Sequence, residues 1–418
     1  MKILWFSNTP ANGEEVLEES AGRGGWLSSL DKALNGKIKL SVAFYYARYV
    51  GVFTHKGVTY YPICKKNWRL NILHSNLFGG FTDQEDLSEY LSIIRIVQPD
   101  VIHIHGSENP FGCIIGNTSV PVVLSIQGIC TVYTHKYYSG VPRQFASISN
   151  SRLLSPLSWI FSKSFNYQYR HLFARYPISE QRNLRNCRYI IGRTDWDRRV
   201  SRILAPKSTY FHNDEVLRES FYRTKWLHPK NTTLVVHSTI GEGLYKGLET
   251  ILQTINVLHS YGISVEWNIA GVSNHGLLNK TVRRMMGRTY PVNGPRFLGN
   301  LNEQELIQAM LKAHIYVMPS HIENSPNSLC EAMILGMPCI TTLAGGTTSL
   351  LKDKKEGLVI QDGDPWSLAG ALLEILDYPE VARQYGENAR ITALARHDPE
   401  KIVKDLLAIY NSIILPRD

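Results

Sequence analysis

Two glutamates separated by seven residues, Glu323 and Glu331, flank a segment that could bind a polar ligand. A carboxylate accepts hydrogen bonds from two hydroxyl groups, so either glutamate suits a ribose diol or the hydroxyls of a sugar. The structural alternative places one glutamate in a solvated loop and the other on its own helix. The spacing alone leaves both readings open.

The residues between the glutamates predict the start of a helix over Ser325–Leu335. Ser325 is a favourable N-cap, and Pro326 suits the first helical turn. Gly336 would end the helix, and Pro338 would prevent its continuation. Backbone N–H groups at such a start form an anion site suited to a pyrophosphate, and the residues that would supply them are Asn327, Ser328 and Leu329.

These residues must be positioned by short apolar strands that alternate with amphipathic helices. Examples of predicted strands are Val101–His105, Leu234–Ser238 and Ile315–Met318. Strand–helix alternation favours parallel sheets with crossover helices. The pattern forms two α/β blocks, with a polar boundary between about Leu204 and Thr232. In such sheets, ligands bind at the carboxyl ends of the strands.

Composition favours a globular protein of two domains. The chain has 418 residues, of which 44% are hydrophobic and 19% are charged. No two of the six cysteines form a CxxC pair, which argues against a zinc site or a disulfide framework and favours a cytoplasmic protein. The apolar run at Met1–Asn8 is too short for a signal peptide and suits a first buried strand.

The net charge of +9 is concentrated in the middle of the chain. Residues 143–226 hold 16 Lys and Arg against 6 Asp and Glu. Such a stretch could attract phosphates or an anionic membrane surface, or it could be a solvated helical face. The aromatic segment Leu153–Tyr176 is likewise either a membrane-contacting amphipathic helix or a core helix. No nucleic-acid-binding motif accompanies the basic stretch, so we expect no nucleic acid partner.

The Glu323-x7-Glu331 segment resembles the signature of retaining GT4-type glycosyltransferases, the glycosyl transferases group 1 of the GT-B fold. The resemblance is strong from about Tyr245 to Leu376 and patchy before Tyr210. Other matching pairs and triplets are Gly24-Gly25, Lys246-Gly247, Ala270-Gly271, Phe297-Leu298-Gly299, Ala332-Met333, Gly345-Gly346 and Gly357-Leu358-Val359.

The resemblance implies an α/β fold of GT-B type, with two facing Rossmann-like domains and a cleft between them. We expect an acceptor-side domain over residues 1–207 and a nucleotide-sugar domain over residues 208–398. A helix over residues 399–418 would cross back to the first domain.

The resemblance also implies roles for individual residues. Glu331 would bind the donor ribose, and Glu323 would lie against the transferred sugar. Lys246 would neutralise the leaving phosphate, where a fixed ammonium favours the transition state. Donor binding would further involve Gly24, Gly25, Gly271, Leu298, Asn327, Ser328 and Leu329.

Three positions bear on how far the resemblance extends. The family carries an Arg before its lysine, but Ser238–Glu242 contains none, and Arg193 is a candidate replacement. Gln127 stands where many relatives have a His, and Gln cannot act as a general base. His105 resembles another frequent family histidine, so we predict that it lines the site and include it among the catalytic candidates.

The predicted activity is transfer of a sugar from a nucleotide-diphosphate-sugar to a glycan or lipid-linked acceptor, with retention of configuration. We expect no cofactor and no essential metal. Asp362-Gly363-Asp364 and Asp195-Trp196-Asp197 match the D-x-D of metal-dependent transferases, but Asp364 suits an N-cap and Asp197 a surface charge cluster. The enzyme would be cytoplasmic, with peripheral contact to an anionic membrane. The alternatives are a nucleotide-sugar epimerase of the same fold and a non-catalytic sugar-nucleotide-binding protein.

Overall fold

The computed structural model describes residues 1–17, 25–64, 86–147, 164–174, 176–230 and 233–414. The chain divides into two compact units. The first comprises Met1–Thr131, Phe173–Arg218 and His397–Asp418, and the second comprises Val132–Leu172 and Glu219–Arg396.

The first unit is built on an eight-stranded sheet with the order β3-β4-β2-β1-β5-β6-β7-β8. Its strands pair in parallel, except that β3 runs antiparallel to β4. The strands are β1 Lys2–Ser7, β2 Lys39–Tyr46, β3 Phe53–His55, β4 Val58–Cys64, β5 Val101–His105, β6 Val122–Ser125, β7 Tyr189–Gly192 and β8 Thr209–His212.

The second unit is built on a six-stranded parallel sheet with the order β11-β10-β9-β12-β13-β14. The strand order reverses between β9 and β12, so the loops that follow these two neighbours diverge at the edge where ligands bind in open α/β sheets. The strands are β9 Leu234–Thr239, β10 Val265–Ala270, β11 Pro295–Gly299, β12 Ile315–Met318, β13 Cys339–Thr342 and β14 Leu358–Ile360.

Helices alternate with the strands in both units, as the sequence pattern predicts. In chain order they are α1 Glu14–Leu17, α2 Gly25–Leu34, α3 Leu87–Val97, α4 Cys130–Lys136, α5 Phe165–Gln168, α6 Tyr176–Asn186, α7 Asp195–Leu204, α8 Glu219–Arg223, α9 Leu248–Ser260, α10 Leu277–Met286, α11 Glu303–Leu311, α12 Asn327–Leu335, α13 Pro365–Asp377, α14 Pro379–Arg396 and α15 Pro399–Ile414.

The division between the units differs from the predicted boundary at residues 207 and 208. Strand β8 (Thr209–His212) pairs with β7 in the first sheet, so the first unit continues to Arg218. The segment Val132–Leu172 belongs with the second unit, although it lies within the predicted first domain. Sequence periodicity identifies strands but does not reveal which sheet an edge strand joins.

The C-terminal helix α15 packs within the first unit. Its apolar face, including Ile402, Leu406 and Ile409, is buried in the core that also contains residues of β1 and α2. The hydroxyl of Tyr410 accepts a hydrogen bond from Trp5 Nε1 (3.2 Å) and lies 2.6 Å from His103 Nδ1. Burial, with the charge of Arg193, lowers the pKa of His103 to about 3, so its ring is neutral.

We predict that Tyr410→Phe destabilises the first unit. The change leaves the indole N–H of Trp5 and a ring nitrogen of His103 buried without this partner, which costs about 1–3 kcal/mol each. The exposed Tyr378 supplies a control, since Tyr378→Phe removes a hydroxyl that water already solvates. Urea denaturation followed by tryptophan fluorescence measures both changes, and equal stability of the two variants would contradict the prediction.

Candidate functional site

Lys246 and Glu323 come from loops that follow neighbouring strands of the second sheet. Lys246 ends a 3-10 turn, Leu244–Lys246, that lies between β9 and α9. Glu323 lies in the loop between β12 and α12. Because parallel strands end at the same edge, two residues 77 positions apart in the sequence meet at the point where the strand order reverses.

The two side chains form an ion pair. The Nζ of Lys246 donates a hydrogen bond to Oε1 of Glu323 over 2.6 Å. The lysine side chain is 24% exposed and the glutamate side chain 10% exposed, so the pair is largely but not fully withdrawn from water. Burial acts to lower the pKa of Lys246, but the charge of Glu323, the Tyr245 hydroxyl and the hydrogen bond outweigh it and raise that pKa. The ammonium is therefore charged at neutral pH.

The backbone around Glu323 is held by close contacts. Its Oε1 also accepts a hydrogen bond from Ser320 Oγ (2.9 Å), and its carbonyl accepts one from the Gly346 N–H (2.9 Å). Gly345 has a positive φ of +62°, and a Cβ there would lie 2.1 Å from the Glu323 carbonyl oxygen. Only glycine combines that backbone conformation with such an approach.

A glycine also brings the Lys246 turn close to the β12 loop. Gly247 has a φ of +77°, and a Cβ there would lie 2.1 Å from the carbonyl oxygen of Pro319. Gly345-Gly346 and Lys246-Gly247 were identified in the sequence through the family resemblance. The structure gives the physical reason for Gly247 and Gly345, which is backbone packing around the ion pair.

Helix α12 starts two residues later than predicted. Its N-cap is Pro326, with no side-chain hydrogen bond, so Ser325 does not cap it. The N–H of Leu329 is not free either, because it donates to the Pro326 carbonyl over 3.0 Å. The donors that remain are the backbone N–H groups of the first two helical residues, Asn327 and Ser328. Within the described ranges, neither N–H group makes a hydrogen bond. The predicted anion site is thus reduced to two backbone donors.

Glu331 lies in the second turn of α12 and is 4% exposed. On the other side of the sheet centre, Gly271 follows β10 and donates its N–H to the carbonyl of Gly299 over 2.7 Å. The φ of Gly271 is +85°, and a Cβ there would lie 2.2 Å from the carbonyl oxygen of Ile240. Leu298 is half-buried in β11, so Gly271 and Leu298 belong to adjoining strand ends of the same sheet.

The remaining predicted site residues belong to the first unit. Gly25 begins α2, whereas Gly24 lies outside the described residues. His105 ends β5 and is 1% exposed, with neither ring nitrogen hydrogen-bonded within the described part of the chain. Burial, with the charges of His103 and Arg193, lowers the pKa of His105 well below its usual range. Its ring is neutral and packs edge-on against Trp26.

Arg193, the candidate replacement for the family arginine, and Glu242, from the segment that lacks that arginine, each make contacts within their own unit. Arg193 is buried, lies 3.5 Å from Glu215 and stacks over the ring of Trp26 at 4.4 Å. Its charge is therefore engaged within the first unit. In the second unit, Glu242 accepts a hydrogen bond from the Leu278 N–H (2.9 Å) at the start of α10.

One aspartate of each D-x-D segment caps a helix. Asp364 accepts hydrogen bonds from the N–H groups of Trp366 and Ser367, which confirms the predicted N-cap of α13. The prediction of Asp197 as a surface charge is wrong. Asp197 is fully buried in the capping box of α7 and accepts a hydrogen bond from the Tyr210 hydroxyl over 2.6 Å.

Sequence reasoning missed several residues around the ion pair, namely Ser320, His321, Glu249 and Asp362. Of these four, only Asp362 stands in a sequence motif, the D-x-D segment Asp362-Gly363-Asp364, and that motif does not predict its contact with His321. The contacts of His321 with Asp362 and Glu249 join loops that are 41 and 72 positions apart. Only the position of Ser320 and His321 within the Pro319–Pro326 loop could have pointed to them.

The described residues contain neither a cluster suited to a metal ion nor a membrane-spanning helix. No group of three or more His, Cys, Asp or Glu side chains there could hold a metal ion. No helix in the same ranges has the length and hydropathy needed to cross a membrane.

Lys246 and Glu323 lie within a segment that matches a protein-family model. Residues 220–392 match the family model described as Glycosyl transferases group 1. N-acetyl-alpha-D-glucosaminyl L-malate synthase of Bacillus anthracis is 28% identical over 118 residues, which is 28% of this chain and 30% of the relative. Glycogen synthase of Mycobacterium tuberculosis is 26% identical over 149 residues, or 36% of this chain and 33% of the relative. The matches thus span about a third of these relatives' length.

Solved structures resemble the chain over nearly its whole length. Sucrose-phosphate synthase from Thermosynechococcus elongatus has a TM-score of 0.73 at 14% identity, covering 99% of both chains. Anabaena Alr3699/HepE, solved in complex with UDP, has a TM-score of 0.65 at 14% identity, covering 99% of this chain and 100% of that one. At such identity the likeness concerns the fold, and the predicted GT-B fold is confirmed.

We predict that Gly345→Ala disturbs the Glu323 loop, whereas Gly262→Ala does not. Both glycines have a positive φ, so both substitutions carry a backbone penalty of roughly 1–2 kcal/mol. Only Gly345 lies against the Glu323 carbonyl, because a Cβ at Gly262 would meet open space. Gly345→Ala should therefore lower the free energy of unfolding by a further ~1–3 kcal/mol in urea denaturation. Equal losses in the two variants would contradict this account.

Proposed function

We propose that this chain is a glycosyltransferase that uses a nucleotide-diphosphate-sugar donor. The observation that carries the proposal is the Lys246–Glu323 ion pair at the strand-order reversal of the second sheet, beside the start of α12. A cation, a carboxylate and two backbone donors at one sheet edge match the parts of such a donor. The family match over residues 220–392 supports the same assignment.

The diphosphate is the part of the donor that this edge suits best. The N–H groups of Asn327 and Ser328 point out of the start of α12, where the helix dipole favours negative charge. Lys246 supplies a charged ammonium that donates a hydrogen bond to the carboxylate of Glu323. A bound diphosphate would share this ammonium with Glu323.

The proposed chemistry follows from where charge develops. Breaking the bond between the sugar and the donor places negative charge on the departing diphosphate, and a fixed ammonium stabilises that charge more than it stabilises the bound donor. The carboxylate of Glu323 would lie against the transferred sugar, accepting its hydroxyl hydrogen bonds. Ser320 and the Gly346 N–H would hold Glu323 in place during the reaction.

The rest of the donor would extend over neighbouring strand ends. Glu331 would accept the ribose hydroxyls, and the base would lie near Gly271 and Leu298. The backbone of these two residues is positioned by β10 and β11. UDP or GDP is the proposed nucleotide, and the UDP complex of the structurally similar Anabaena protein favours testing UDP first.

The remaining features of the proposal rest on the family resemblance. The sugar would be transferred with retention of configuration to a glycan or lipid-linked acceptor, in the synthesis of a polysaccharide or cell-surface glycan. Gly24 and Gly25 would approach the diphosphate, and His105 would act through its neutral ring as a hydrogen-bonding group. The enzyme would act in the cytoplasm, in contact with an anionic membrane face.

We predict that Glu323→Gln lowers kcat by roughly 10²–10³-fold, because a neutral amide cannot replace the carboxylate in the transition state. Nucleotide binding should persist, since the backbone donors and Lys246 remain. Radiolabelled UDP- and GDP-sugars with product analysis measure transfer. Thermal shift measures binding, where nucleotide at 100 times its Kd stabilises by about 2.7 kcal/mol.

The exposed Glu387 offers a matched control in the same unit, and Glu387→Gln should transfer sugar at the wild-type rate. Retained transfer in Glu323→Gln would overturn the catalytic assignment. Conversion of the donor to an epimeric sugar nucleotide, without an acceptor product, would replace the proposal with an epimerase.

We also predict that transfer does not require a divalent metal. Lys246 would supply the positive charge that a metal provides elsewhere, and one aspartate of each D-x-D segment caps a helix. Activity measured after exhaustive chelation should equal that of the untreated enzyme. Loss of activity that manganese restores would contradict this prediction.

A further inference from the structure

A second cluster of charged side chains, formed by His321, Glu249 and Asp362, lies next to the Lys246–Glu323 pair. The Nε2 of His321 is 2.7 Å from Oε1 of Glu249, and its Nδ1 is 3.1 Å from Oδ2 of Asp362. The side chains of His321 and Glu249 are only 3% and 2% exposed. Asp362 is also 3.5 Å from Nζ of Lys136 on α4, a helix that continues into the second unit.

This cluster joins the same two loops that the ion pair joins. His321 lies two residues before Glu323, and Glu249 lies three residues after Lys246, in the first turn of α9. The backbone N–H of His321 also donates to the carbonyl of Tyr245 over 2.8 Å. The His321–Glu249 side-chain bond and this backbone bond therefore fix the spacing between the Lys246 turn and the Glu323 loop.

The geometry indicates the protonation state that His321 needs. Only the imidazolium donates from both ring nitrogens at once, and both of its partners are carboxylates. With His321 protonated, the four groups carry two positive and two negative charges, whereas a neutral ring leaves a net negative charge next to a buried carboxylate. Burial acts to lower the pKa of His321, but its bonds to Glu249 and Asp362 outweigh this and raise the pKa above 6.5.

A close backbone contact covers the cluster. Gly140 has a φ of +77°, and a Cβ there would lie 2.1 Å from Oε1 of Glu249 and 2.7 Å from Nε2 of His321. The segment that follows α4 thus excludes water from the His321–Glu249 bond. Exclusion of water strengthens the attraction between the two charges.

We propose that His321 is a positioning residue, which as an imidazolium bound by Glu249 and Asp362 holds the Glu323 loop against the Lys246 turn. The role in catalysis rests on the proposed transferase function, whereas the positioning of the ion pair does not. The charged groups that face His321 are Glu249 from α9 and Asp362 from the loop after β14, and Lys136 of α4 faces it through Asp362.

The pH dependence follows because folding raises the pKa of His321. A histidine whose pKa is raised by folding contributes its full stabilisation below its ordinary pKa of 6.5 and loses it as the pH rises through the raised value. The stabilisation of the loop arrangement is therefore lost as the pH rises through the raised pKa of His321, and kcat decreases with it. Removing either carboxylate lowers the pKa of His321 and moves this fall to lower pH.

The test compares His321→Gln and Glu249→Gln with the wild type and with His228→Gln, a control at an exposed histidine of the same unit. Glutamine at 321 keeps hydrogen-bonding capacity but neither the charge nor the titration. We expect kcat to fall roughly 10–100-fold with little change in nucleotide affinity, because displaced catalytic groups cost rate rather than ground-state binding. The alkaline fall should disappear in His321→Gln and move to lower pH in Glu249→Gln.

A second readout needs no activity. Acylation of Lys246 in the ligand-free protein, followed by mass spectrometry, reports how firmly its ammonium is held by Glu323. We expect Lys246 to be labelled several-fold faster in His321→Gln and Glu249→Gln than in His228→Gln. Asp362, whose side chain is 23% exposed, provides a milder variant, Asp362→Asn, should the two buried substitutions prevent folding.

The outcomes separate the two proposals. Absence of transfer in the wild type, together with faster labelling of Lys246 in the variants, would overturn the transferase function and leave the positioning role in place. Unchanged labelling in folded variants would overturn the positioning role, as would an unchanged pH profile in Glu249→Gln when the wild type transfers sugar.

Discussion

The ion pair between Lys246 and Glu323 is the interaction on which the second unit's site depends. Its partners are 77 positions apart and meet because β9 and β12 are neighbours where the strand order reverses. A largely buried pair of this kind stabilises little on its own, since desolvation offsets much of the attraction. In the proposed function its role is to keep a cation and a carboxylate at fixed spacing beside the start of α12, where a diphosphate would bind.

Keeping that spacing requires close approach of backbone to backbone. Gly247 lies against the Pro319 carbonyl, and Gly345 lies against the Glu323 carbonyl, each with a positive φ. His321 adds a third constraint by joining the same loops through Glu249. The site is thus an arrangement of loops on a parallel sheet, and glycines, buried charges and backbone hydrogen bonds hold these loops in place.

Much of the sheet could be predicted from the sequence, because buried parallel strands are short apolar runs bounded by turn residues. Two predicted strands, Val101–His105 and Ile315–Met318, are observed with the predicted bounds, and the predicted strand Leu234–Ser238 extends one residue further, to Thr239. The sequence predicted the helix N-cap correctly at Asp364, but it did not predict the N-cap of α12. Ser325 had the right residue type for an N-cap, but Pro326 occupies that position and α12 begins at Asn327.

The sequence by itself determined the α/β fold and the residue types that a nucleotide-sugar site would need, since local periodicity and a short motif encode both. Only the tertiary structure decided which of those residues meet. It joined Lys246 to Glu323, buried Asp197 in a capping box and brought Glu249 and Asp362 to His321. The physical reason is that strand order in a parallel sheet, and not distance along the chain, determines which loops are neighbours.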